Sequence, residues 1–281
     1  MFQKITIETS GLEWLYVPDV EYASYDGLSR KLQMIIPWRH CWEEETRYPL
    51  VVYLPGSAFY RQEMYNGVPE FAKIAQRGFV VAALQYRESN IAKFPAQIQD
   101  VHNAITFLKK KASEFHIDTD RIFLMGHSSG GYNVLMAGVT SGIAEFDGGA
   151  NHTIRGIVGC SAPSYLSFEP NVLDKGLTEY DPEDYLPELD MLGLSRFEED
   201  MELFHKSRVE SYVNRTIPPI LLLHGDQDAD VTVENSRKLY RALVDAGKQV
   251  VYYEIENAGH GGAMLWEDTF LNLATDFLKG L

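Results

Sequence analysis

Beyond residue 50 the apolar residues of this chain fall into short unbroken runs, each followed by a longer amphipathic stretch. The runs are Leu50–Leu54, Phe79–Leu84, Ile122–Met125, Ile154–Gly159, Ile220–Leu223 and Val250–Ile255. Continuous rather than alternating hydrophobicity is what a strand covered on both faces requires, so the pattern predicts a mostly parallel sheet with helices on both faces. The clearest helices are Pro95–Phe115, Gly131–Val139, Glu234–Ala246 and Trp266–Lys279. Pro95 suits a first helical turn, and Asp118 to Asp120 read as a polar turn leading back to the next strand. Before residue 50 the residues alternate and are rich in β-branched and aromatic types, which predicts antiparallel strands.

One segment breaks the regular succession. Between the run at Ile154 and the run at Ile220 lies an acidic, proline-containing stretch too long for a helix-to-strand connection in a compact sheet. The expectation is a single domain over 1–281 with a helical cap inserted at 164–216. The cap would lie over the carboxyl ends of the strands, where open α/β sheets place their ligands. From Ser164 to Glu202 there are twelve acidic residues against two basic ones, which is ten of the fifteen net negative charges of the chain. Within the insert, Tyr165, Phe168, Leu192 and Phe204 either line a pocket or form the cap's own small core. His205 reads as a solvated helix face.

The chemistry begins at Gly126-His127-Ser128-Ser129-Gly130. Arg121–Met125 before it reads as a buried strand and Gly131–Ala137 after it as the first turns of a helix. A serine at such a corner sits in a strained turn that exposes its hydroxyl. Glycines two residues to either side are needed because side chains there would strike neighbouring elements. Ser128 has glycine at both offsets; Ser129 does not.

A serine hydroxyl is a poor nucleophile at neutral pH and needs a base, itself oriented by a carboxylate. Downstream, Ile220–Leu223 leads into His224-Gly225-Asp226-Gln227-Asp228, and Val251–Ile255 leads into Asn257-Ala258-Gly259-His260-Gly261-Gly262. Both segments place polar groups just past a strand end, in the order Ser, Asp, His. His260 is the candidate base. Spacing leaves Asp226 and Asp228 both open as its partner. His127 and His224 read as packing or hydrogen-bonding residues.

The turn after Leu50–Leu54, Pro55-Gly56-Ser57-Ala58-Phe59-Tyr60, is built of small residues where an oxyanion hole belongs. Its candidate donors are the backbone N–H groups of Ser57 or Ala58, together with that of Ser129; Pro55 has none.

Several function classes are excluded. A net charge of −15 argues against nucleic acid or an anionic membrane as the main partner. No apolar run is long enough to span a bilayer, and the N-terminus lacks the pattern of a signal peptide. The two cysteines, Cys41 and Cys160, make no disulfide framework, so a cytoplasmic location is expected. Asp226, Asp228 and Asp230 start like a calcium loop, but Val231 and Arg237 occupy positions where glycine and glutamate are required. No metal or phosphate-binding motif is present, and no cofactor is expected.

Phe94-Pro95-Ala96-Gln97, Asp100-Val101, Asp118-Thr119-Asp120-Arg121-Ile122 and Gly126-His127-Ser128-Ser129-Gly130-Gly131 resemble the α/β-hydrolase carboxylesterases of the acetyl-esterase, feruloyl-esterase and hormone-sensitive-lipase-like group. The similarity runs from Pro49 to Leu281 without the acidic insert. It implies the α/β-hydrolase fold, with Ser128 as nucleophile, His260 as base and Asp228, rather than Asp226, as triad acid. Lipases and esterases of this kind carry His-Gly-Gly-Gly at the oxyanion turn; this chain departs from that with Pro55, Ser57 and Ala58. The implied activity is serine carboxylesterase action on small neutral esters, with a possible homo-oligomer. An amidase or peptidase, including an arylformamidase-like enzyme, is the alternative. A non-catalytic binding module of the same fold need not have kept all three residues.

Overall fold

Eight strands and eight α-helices follow one another in the described residues 3–6, 12–38, 46–150, 152–164 and 187–281 of a computed structural model. The strands are β1 (Glu13–Tyr25), β2 (Leu28–Trp38), β3 (Tyr48–Leu54), β4 (Val80–Leu84), β5 (Ile117–His127), β6 (Gly156–Cys160), β7 (Ile220–Gly225) and β8 (Val250–Ile255). They form one sheet in the order β1-β2-β4-β3-β5-β6-β7-β8. β2 runs antiparallel to both β1 and β4, and every other pair is parallel. The β1–β2 hairpin closes through Asp26 (φ 50°) and Gly27 (φ 79°). Two consecutive positive φ angles give the turn whose twist matches a tight hairpin.

The main helices are α1 (Val68–Gln76), α2 (Ala96–Lys110), α3 (Ser129–Thr140), α4 (Ala144–Asp147), α7 (Glu234–Asp245) and α8 (Asp268–Lys279). Successive strand residues point to opposite faces, and both faces are covered. Leu50, Val52 and Leu54 pack with residues of α2, α3 and α7, whereas Val51 and Tyr53 pack with residues of α1 and α8. All five are buried. This two-sided burial is why the sequence shows unbroken runs, each large aliphatic side chain contributing about 1.5–3 kcal/mol.

Two predicted features differ in detail. The polar stretch Asp118–Asp120 lies inside β5 rather than before it. The Asp118 carboxylate accepts the Asp120 N–H at 3.0 Å and Arg121 Nε at 2.6 Å. The register slips there, from Pro49 opposite Asp118 to Leu50 opposite Ile122, so the turn is a bulge in a longer strand. β8, predicted to be covered on both faces, is an edge strand with Val251 36% and Tyr253 42% exposed.

The insert between β6 and β7 contains, in its described part, α5 (Pro187–Leu192) and α6 (Met201–Lys206), with 3-10 turns at Phe197–Glu199 and Val209–Tyr212. Leu192 and Phe204 are buried in the same apolar layer as α2 and α3, together with Met191 and Val209. Tyr165 and Phe168 lie outside the described residues. α5 rests on loops that leave the carboxyl ends of β3 and β4. The Phe94 N–H donates to the Met191 carbonyl at 2.9 Å, and Tyr60 Oη hydrogen-bonds Asp190. His205 is exposed.

Candidate active site

β5 stops at His127 and α3 starts at Ser129, so Ser128 alone makes the corner. Its φ of 56° and ψ of −129° are rare for a residue with a side chain, a conformation that costs on the order of 1–3 kcal/mol. The surroundings enforce it. The Ser128 N–H donates to the Cys160 carbonyl at the end of β6 (2.9 Å), and the Ser128 carbonyl accepts from the Tyr132 N–H to start α3 (3.0 Å). The flanking glycines act as the sequence predicts. A Cβ at Gly126 would lie 2.4 Å from the Gly130 carbonyl oxygen, and one at Gly130 would lie 2.2 Å from that of Leu54.

Ser128, His260 and Asp228 meet at this corner. His260 Nε2 lies 2.9 Å from Ser128 Oγ, and His260 Nδ1 lies 2.8 Å and 3.0 Å from the two Asp228 oxygens. A carboxylate only accepts, so Nδ1 carries the proton and Nε2 offers its lone pair to the serine hydroxyl. Asp226 is not at the site. It is exposed at the end of β7, where its N–H donates to the Ile255 carbonyl at 3.0 Å.

The Asp228 side chain is fully buried. Burial alone would raise its pKa, but hydrogen bonds from His224 and His260 and from the Val231 N–H hold the carboxyl well below the usual range. The N–H groups of Asp230 (3.0 Å) and Val231 (2.9 Å) both donate to Oδ1. His224 Nε2 approaches Oδ2 at 3.2 Å and the Val231 carbonyl at 3.0 Å, while its Nδ1 meets Ser236 Oγ at 2.7 Å. Facing a carbonyl and a carboxylate, Nε2 must be the protonated nitrogen, and Nδ1 then accepts from Ser236.

His127 occupies the seam between three loops. Its Nε2–H donates to the His260 carbonyl, and the two imidazole rings sit 4.9 Å apart. A Cβ on Gly261 (φ 136°) would lie 2.6 Å from His127 Nε2, and one on Gly56 would lie 3.1 Å from Nδ1 and 2.7 Å from Ser128 Cβ. Glycine at 56 and 261 therefore lets the turn after β3 and the histidine loop close on the same ring. Burial holds the His127 pKa down at about 4, so the ring is neutral.

The turn after β3 contributes Ser57, Ala58 and Phe59. Ala58 (φ 49°) and Phe59 (φ 64°) are consecutive left-handed residues. Phe59 is buried edge-on against Tyr132, 5.4 Å between centroids, and its carbonyl accepts both the N–H (2.9 Å) and the hydroxyl (3.0 Å) of Ser89. The Ser57 N–H points at Ser129 Oγ, 2.9 Å away. Tyr86, just past β4, lies beneath this contact with its hydroxyl 2.9 Å from Ser57 Oγ. Sequence reasoning passes over Tyr86 entirely, since no motif marks it. The paired residues Arg87 and Asp100 lock the same loop to α2: the Arg87 N–H and Nε donate to the buried Asp100 carboxylate at 2.7 and 2.9 Å.

Other reactive groups are out of play. Cys160 is buried, and burial pushes its thiol pKa up. Among the described residues, no three His, Cys, Asp or Glu side chains gather as metal ligands would. Likewise no described helix is long and apolar enough to cross a membrane.

Comparison with known proteins agrees with this architecture. The esterase LipQ of Mycobacterium tuberculosis is 29% identical over 217 residues, covering 76% of this chain and 50% of LipQ. LipC of the same organism is 25% identical over 248 residues, covering 83% of this chain and 58% of LipC. The chain thus spans about half the length of the curated relatives it matches. A truncated carbohydrate esterase from gut microbiota superposes with a TM-score of 0.81 at 23% identity, over 97% of this chain and 98% of that one, a likeness of fold. The model of the BD-FAE family matches residues 40–243. With the sheet order and the strand-end loops of an α/β-hydrolase, and with that match over most of its length, the chain belongs to the BD-FAE family.

Proposed function

We propose that the chain is a serine carboxylesterase that hydrolyses small neutral esters through an acyl-enzyme. The observation that carries this reading is the unbroken chain from Ser128 Oγ through His260 to Asp228, at 2.9 Å and 2.8 Å. Ser128 Oγ attacks the ester carbonyl carbon while His260 Nε2 takes its proton. Asp228 keeps the imidazole in the required tautomer and stabilises the imidazolium that forms. The oxygen of the tetrahedral intermediate is held by the backbone N–H groups of Ala58 and Ser129. Ser57, also a candidate from the sequence, is the weaker choice because its N–H is engaged by Ser129 Oγ. His260 then gives its proton to the departing alcohol oxygen, leaving the acyl group on Ser128. Water, deprotonated by the same nitrogen, releases the carboxylic acid and restores the serine.

The esterases among the relatives support the reaction class. The acidic residues of the insert support the preference for uncharged substrates, since an anionic ester would be repelled on approach. The insert acts as the cap of a single domain, with α5 seated on the loops that border the site.

Ser128→Ala tests the assignment. Hydrolysis of p-nitrophenyl acetate should fall by about 10⁴-fold or more. A variant that hydrolyses at the wild-type rate would overturn it.

A further inference from the structure

Three hydroxyl groups lie together under the oxyanion turn: Ser57 Oγ, Tyr86 Oη and Ser129 Oγ. Their contacts are Ser57 to Tyr86 at 2.9 Å, Tyr86 to Ser129 at 3.1 Å and Ser57 Oγ to the Tyr60 carbonyl at 2.7 Å. The Ser57 N–H to Ser129 Oγ contact at 2.9 Å closes the circuit. Each hydroxyl has one hydrogen to give, and the shorter contacts order the donors. The Tyr60 carbonyl only accepts, so Ser57 donates to it. With that hydrogen spent, the Ser57–Tyr86 contact is a donation from Tyr86, and the Tyr86–Ser129 contact a donation from Ser129. The Pro55 carbonyl, 3.2 Å from Tyr86 Oη, shares the tyrosine hydrogen as a second and longer acceptor. Ser129 Oγ keeps a lone pair for the Ser57 N–H. The circuit runs Ser57 N–H, Ser129, Tyr86, Ser57 Oγ, Tyr60 carbonyl, with the tyrosine hydrogen shared between Ser57 Oγ and the Pro55 carbonyl.

We infer that this ring of hydroxyls is the positioning device of the oxyanion hole, with Tyr86, Ser57 and Ser129 acting through their side chains to set the Ala58 N–H against the Ser129 N–H. The inference rests on the esterase reading above. Two observations support it independently. The ring joins the only two segments that carry the donors, the turn after β3 and the first residue of α3, by one direct bond. Ala58 and Phe59 both hold left-handed backbone angles that relax unless the surroundings over-determine them. The ring and the bonds from Ser89 to the Phe59 carbonyl supply that constraint. Burial also raises the Tyr86 pKa, so its hydroxyl keeps the hydrogen the circuit needs. None of the three hydroxyls is assigned a contact with the reacting ester; they are positioning groups.

Tyr86→Phe removes both contacts of the tyrosine hydroxyl and keeps the shape of the aromatic ring. It should lower kcat for p-nitrophenyl acetate about tenfold, with KM within about twofold, because only a transition-state interaction is loosened. Ser57→Ala should do the same, and it carries the test if Tyr86→Phe melts early. Inhibition by a trifluoromethyl ketone should weaken by the same factor, and the pH profile should keep its shape. The double variant should be no slower than the slower single, since one break already opens the circuit. Wild-type kcat in both singles, or losses that multiply in the double, would overturn the ring. Labelling of Ser128 by a fluorophosphonate separates this from the parent reading. Absence of label on the wild-type protein overturns both, whereas a labelled wild type alongside unimpaired Tyr86→Phe and Ser57→Ala overturns only the ring.

Discussion

The two arms of the site are held in different ways. The arm we propose for the oxyanion, built on the turn after β3 and on α3, is fixed by hydroxyls and main-chain groups. The arm we propose for proton transfer, built on the loops after β7 and β8, is fixed by imidazoles: His224 on Asp228, and His127 on the carbonyl of His260. The first arm starts from strands deep in the sheet and the second from its margin. In that proposal, donors for a developing charge need constancy, and hydroxyls give it. The second arm rests in part on His127, which burial keeps neutral, so it should be the one that acid disturbs.

The largest expected effect separates the arms by magnitude. Asp228→Asn should reduce kcat by about 10⁴-fold, because an amide donor facing Nδ1 favours the wrong tautomer of His260. Pre-steady-state hydrolysis of p-nitrophenyl acetate reads this directly. A loss no greater than the tenfold expected for the hydroxyl ring would erase the distinction between the arms.

Next comes the support beneath the first arm. Arg87→Met should leave the buried Asp100 carboxylate without its cation at the base of the Tyr86 loop, with the main-chain N–H of residue 87 still donating to it, a cost of about 3–5 kcal/mol. Calorimetry should show a melting temperature lower by about ten degrees for a chain of this size. A change of a degree or two would mean that the pair contributes little to holding the loop.

The smallest effect concerns pH. The His127 pKa is depressed to about 4 in the folded protein, and so is that of His102, in both cases by burial first. Unfolded, both rings titrate near their ordinary value, so between roughly pH 6.5 and 4 the unfolded chain binds more protons. Stability is therefore full above that window and declines as pH falls through it. The Asp228 carboxyl, held well below the usual range, adds to the slope only below about pH 5, where the unfolded carboxyl starts to bind protons. His127→Gln should flatten the fall in melting temperature between pH 7 and 4.5, while Ser57→Ala should leave the slope as in wild type. Equal slopes in all three proteins would show that acid sensitivity does not reside in the imidazole arm.

Much of this was legible in the sequence because burial on two faces leaves a simple trace. Runs such as Leu50–Leu54 and Ile220–Leu223 admit few other readings once a helix pattern follows each. α1 was not foreseen, being nine residues long with Val68-Pro69 at its start, too short for its period to stand out. Ser128 and His260 were marked by their glycines. Asp226 and Asp228 were not separable, since both sit in one polar turn. What distinguishes them is that one side chain faces solvent and the other turns inward beneath two imidazoles. Tyr86 leaves no sequence trace because its work is done by a single hydroxyl whose partners are far along the chain.

The edge position of β8 has a bearing on durability. His260 hangs from a strand that is paired on one side only, whereas Ser128 follows β5, which is paired on both. Marginal strands open more readily than central ones, so the amides of Val250–Ile255 should exchange with deuterium sooner than those of Ile122–Met125. On warming, the loop that carries His260 would come away before the corner that carries Ser128, parting the two side chains while most of the sheet is still intact.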